Sequence, residues 1–134
     1  MHPTTNLVVL RGTLSSDPRH RALPSGDELL SYEITTETAD GRLSVPVAWF
    51  SPKRPPAVRA GDEVVAVGLV RRRFFRAGGA TISRTEVVAD VVARADTRTA
   101  DRALEGLRSA LADDTTHPAA GSPSGGSPQS PRAR

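Results

Sequence analysis

The run Arg71-Arg72-Arg73-Phe74-Phe75-Arg76 combines the two residue types that grip a nucleic-acid strand. Guanidinium groups attract phosphates, and an exposed aromatic ring offers a flat surface on which a base stacks, worth roughly 1–3 kcal/mol whatever the base. Side chains alternate along a β-strand, so Arg71, Arg73 and Phe75 fall on one face and Arg72, Phe74 and Arg76 on the other. The same run also suits a structural role, a solvated hairpin whose charges discourage aggregation while a phenylalanine closes the end of a core. The placement of charge favours binding. Residues 6–94 carry 13 basic and 10 acidic side chains, and four of the 13 fall in these six positions; residues 96–114 carry 3 basic and 5 acidic. Arg84, on the strand that follows, joins the set of candidate contacts.

Other chemistry finds little support. Cysteine is absent, which excludes disulfides and thiolate metal sites. There is no phosphate-binding glycine loop, zinc-protease motif or nucleophile elbow. His2, His20 and His117 stand in termini or a turn with no partner at ligand spacing, and they read as solvated. An enzyme is therefore not expected, nor is a cofactor, a metal or a small-molecule substrate. Seventeen of the 18 basic residues are arginine, which fits a codon bias that also enriches Ala, Gly, Pro and Val. The bias accounts for arginine over lysine but not for where the arginines sit. The apolar run near the N-terminus is too short for a signal peptide, and nothing approaches the roughly 20 apolar residues that span a bilayer. A cytoplasmic protein without a membrane partner is the expectation.

The elements that must hold these residues are strands. Period-2 patterning and β-branched composition predict strands over 6–14, 29–38, 42–50, 63–75 and 81–94. Asp17-Pro18, Pro24-Ser25-Gly26, Gly61-Asp62 and Gly78-Gly79 supply turns, and Pro52, Pro55 and Pro56 forbid regular structure after the third strand. Gly68, inside an apolar run, marks a bulge or tight bend. Five strands with no intervening helix imply an antiparallel barrel or sandwich over residues 1–94. Residues 95–114 then form an amphipathic helix, with Leu104, Leu107 and Leu111 in one stripe and Asp96 or Thr97 as the cap. Its stripe suits docking on the barrel of its own chain better than self-association. Residues 115–134, rich in Pro, Gly and Ser, read as disordered.

In this order the segments resemble the bacterial single-stranded DNA-binding protein family over residues 6–92. The matching pieces are Asn6-Leu7-Val8-Val9-Leu10-Arg11-Gly12, Asp17-Pro18, Pro24-Ser25-Gly26, Ser31-Tyr32-Glu33-Ile34, Val47-Ala48-Trp49-Phe50, Gly61-Asp62, Val67-Gly68-Leu69-Val70-Arg71 and Thr85-Glu86-Val87-Val88-Ala89-Asp90. The resemblance implies an all-β fold, a five-stranded OB-fold barrel followed by the helix and tail. It further implies sequence-independent binding of single-stranded DNA in replication, recombination or repair, a nucleoid-associated location, and a homo-oligomer, tetramer or dimer. It puts Phe50 and Phe75 at stacking positions and Arg11, Arg71 and Arg73 along the strand path. Trp49 falls at a core position. The chain departs from the family around Asp40 and Ser44, where other stacking aromatics would stand. It also ends in Pro131-Arg132-Ala133-Arg134 in place of an acidic partner-recruiting tip. Those departures keep two alternatives open: a protein-interaction module on the same fold with weak or no DNA affinity, and a binder of single-stranded RNA.

Overall fold

The structure, a computed structural model, describes residues 4–116. Six strands precede one helix: β1 (Val8–Leu14), β2 (Arg19–Ala22), β3 (Glu28–Thr38), β4 (Gly41–Phe50), β5 (Glu63–Ala77), β6 (Ala80–Arg94) and α1 (Arg98–Thr116). Five of the strands close into a barrel. β1 pairs with β5, β5 with β6, β6 with β4 and β4 with β3, and Thr13 and Leu14 of β1 return to Thr35 and Ile34 of β3. This is an OB-like barrel, and all its pairings are antiparallel but one. The β4–β6 seam is parallel, with Val47 opposite Val87 and Ala48 opposite Val88. An entirely antiparallel barrel is the simpler expectation from consecutive hairpins. The long crossing from β4 through residues 51–62 to β5 is what brings β6 alongside β4 in the same direction.

The alternation of each strand divides inside from outside. Leu14, Leu30, Tyr32, Ile34, Val47 and Val64 meet in the interior, with Val58 and Trp49 packed against them. The apolar run in β5 is continuous because both of its faces are covered. Val64 and Ala66 point inward, while Val65 and Val67 point outward and pack with Ala93 beneath Ala100, Ala103 and Leu104 of α1. The helix thus lies on the outer face of its own barrel. Its N-cap is Thr97, whose hydroxyl accepts a hydrogen bond from Ala100 N at 3.2 Å.

Two features set the path of the hairpin. The β5–β6 register slips between Val67 and Gly68, so that Val67 faces Val91 and Gly68 faces Ala89, with Asp90 the extra residue of a bulge. Beyond it the two strands continue past the barrel to the two-residue turn Gly78-Gly79. Both turn residues have positive φ (59° and 82°), which matches the twist of the flanking strands. No helix among the described residues is long and apolar enough to cross a membrane. The expected low-complexity tail lies outside the described residues, except that Thr115 and Thr116 end α1.

Candidate nucleic-acid interface

A groove of about 650 Å³ runs across the outside of the barrel. Its floor is β3 and β4, and its walls are the short strand β2 on one side and the β5–β6 hairpin on the other. On β4, Pro46, Ala48 and Phe50 alternate with the core-facing Val45, Val47 and Trp49, which brings Phe50 to the groove. On the hairpin, Arg71 stands opposite Glu86 and Arg73 opposite Arg84, so all four side chains share the groove face. On β2, Arg19 and Arg21 at i and i+2 line the far wall. Five arginines against Asp17, Glu33 and Glu86 leave the groove a surplus of two positive charges.

Glu86 organises the hairpin wall. Its side chain is only 5 % exposed, and its Oε2 accepts hydrogen bonds from Arg71 Nε and Nη2 at 3.1 and 3.0 Å and from Arg73 Nε at 3.0 Å. Arg84 Nε stands 3.7 Å from its other oxygen. Burial alone would push the Glu86 carboxyl up, but the hydrogen bonds from Arg73 and Arg71, and their charge, outweigh it and hold the carboxyl below its ordinary value. A carboxylate whose folded value is depressed stabilises the fold fully above its unfolded value of roughly 4.3. That stabilisation is lost as the pH falls through the lower, folded value. Glu86→Gln is therefore expected to cost about 1–2 kcal/mol near pH 7, because the half-exposed guanidiniums rehydrate. In thermal melts the gap between the two proteins should close below pH ~4; a gap independent of pH would contradict this account.

The residues singled out from sequence divide into three groups. Phe50, Arg71, Arg73 and Arg84 meet in the groove. Phe75 lies further along the same face of the hairpin, with Arg73 Cζ 5.6 Å from its ring centre. Arg72, Phe74 and Arg76 lie on the other face: Arg72 sits 5.1 Å over the Phe74 ring, and Arg76 donates to the Gly79 carbonyl at 3.4 Å. Arg11 is apart from all of these, at the start of the helix connection. It donates to Glu63 at 2.9 Å and lies 3.5 Å from Asp96, and the Glu63 carboxylate raises the Arg11 guanidinium above its ordinary value. Arg11 does not line the groove, because β1 presents it to Glu63 at the start of β5.

Three residues that line the groove were not legible from sequence as part of it. Arg19 and Arg21 fall between two turn signals, in a strand of four residues too short to show a period; their i, i+2 spacing was the available clue. Glu86 could be noticed only as one of the two acids, with Asp90, in the last strand. Tyr32, by contrast, belongs to the interior, where burial pushes its phenol up to about 12. Among the described residues no cluster of His, Cys, Asp and Glu is built to hold a metal ion. No protein-family model matches this chain, and no curated protein sequence matches it.

Proposed function

We propose that the chain binds single-stranded DNA without sequence preference, in the groove between β2 and the β5–β6 hairpin, as an activity serving replication, recombination or repair. The observation that carries this reading is the convergence of five arginines with the Phe50 ring in one groove. Phosphates would meet the two arginine walls, and bases would turn inward to the aromatic floor. Stacking and phosphate charge act on every nucleotide alike, so they supply affinity without regard to sequence.

Titration of a labelled oligo-dT, followed by fluorescence anisotropy, tests the reading directly. Affinity is expected to fall with salt, by about 0.7 in the logarithm of the binding constant per logarithm of salt for each phosphate engaged. Three to five contacts thus give a slope of about −2 to −3.5. No binding at low salt would sink the proposal and favour an interaction module instead. An RNA oligomer that competes as well as matched DNA would extend the reading to single strands of either kind.

A further inference from the structure

Each of three successive arginines lies over one of the three phenylalanine rings. Arg71 Cζ is 5.2 Å from the centre of Phe50, Arg72 is 5.1 Å from Phe74 and Arg73 is 5.6 Å from Phe75. The two that cap the groove-face rings, Arg71 and Arg73, are also the two that donate to Glu86. One buried carboxylate therefore fixes two guanidiniums, and through them two rings on different strands. On charge alone a carboxylate in a phosphate-binding groove is a handicap, since it repels the ligand. Its geometry offers the compensating role. A guanidinium is planar and delocalised, and it stacks on a ring while its edge makes hydrogen bonds. Of the ten N–H donors that Arg71 and Arg73 carry, Glu86 takes three, and the other seven are left for other acceptors.

Resting on the single-strand reading above, we propose that Glu86 is a positioning residue for nucleotide binding. It locks Arg71 over Phe50 and Arg73 over Phe75, so that each arginine–phenylalanine pair forms one stacking platform for an unpaired base. The N–H groups not bound to Glu86 serve the neighbouring phosphates. The ligand class is then a flexible strand able to offer two splayed bases, one to each platform.

Two variants separate positioning from charge, and for Glu86→Gln the two accounts predict opposite signs. If Glu86 acts only as a charge, Glu86→Gln removes an anion from the strand path and tightens binding, and the double variant Arg71→Lys, Arg73→Lys keeps its charge and binds unchanged. If Glu86 positions, both variants weaken oligo-dT binding by about tenfold or more. In both the salt slope is then no shallower than that of the parent, because the cations remain. The full-length chain, labelled oligo-dT and low salt are used throughout, with thermal melts to verify folding. Should Glu86→Gln fail to fold, Glu86→Asp takes its place, since it keeps the charge and shortens the reach to Arg71 and Arg73: weakened binding supports positioning, and unchanged binding overturns it. A parent that binds oligo-dT while these variants bind equally well or better overturns the positioning role and leaves the single-strand reading standing. A parent that does not bind overturns both.

Discussion

Phe50→Ala and Phe75→Ala are each expected to weaken oligo-dT binding roughly 5- to 150-fold, the loss of about 1–3 kcal/mol of stacking. Phe74→Ala is expected to change it by no more than about twofold, within the range of an ordinary surface substitution. The contrast is informative because exposure alone points the other way: Phe74 is 64 % exposed and Phe75 only 39 %. The argument is one of face. Phe75 stands opposite Ile82 on the side of the hairpin that carries Arg73, Arg84 and Glu86. Phe74 stands opposite Ser83 on the side that carries Arg72 and Arg76. A strand lying in the groove meets the first side. Anisotropy titrations of the three variants under one buffer check this, and an equal loss from Phe74→Ala would move the strand path to the hairpin's other face.

Gly68→Ala is expected to be the most damaging single-methyl change in the barrel. A Cβ at this position would overlap the Val88 carbonyl oxygen and crowd the Ala89 Cα, both of them backbone and neither able to swing aside. Relief requires β6 to move away from β5 at the bulge, and the hairpin register depends on that contact. Overpacking of this kind costs about 3 kcal/mol, a fall in Tm on the order of 10–20 °C for a domain of this size. Because the bulge also aims the hairpin, the variant should lose oligo-dT affinity even below its lowered Tm. A melting temperature within a few degrees of the parent, about 1 kcal/mol or less, would contradict the close approach.

The strands were legible because their patterns are local. Leu43, Val45, Val47 and Trp49 repeat at the period of a pleated strand, and the Gly78-Gly79 turn needs two positive φ values that glycine supplies freely. The helix was legible too, through its leucine stripe and Thr97, although it continues to Thr116 and the sequence pattern weakens after Leu111. β2 was lost between two turn signals because four residues are too few to display a period.

The site divides along the same line. Sequence alone determined the composition of the hairpin and, by alternation, which of its arginines and phenylalanines share a face, since both follow from covalent geometry and near neighbours. It could not determine what that face looks at. Phe50 and Arg71 are 21 positions apart in the chain and reach each other only because the barrel closes, and Arg11 leaves the set because closure sets it beside Glu63. Arg19 and Arg21 become a wall because β2 pairs along β3 in a local hairpin at the edge of the sheet. Above all, Glu86 gains its meaning from the β5–β6 register, which sets one buried carboxylate against Arg71, Arg73 and Arg84. Local periodicity decides the face of a side chain. Strand pairing between distant segments decides its neighbours, and neighbours turn a run of arginines into a candidate site.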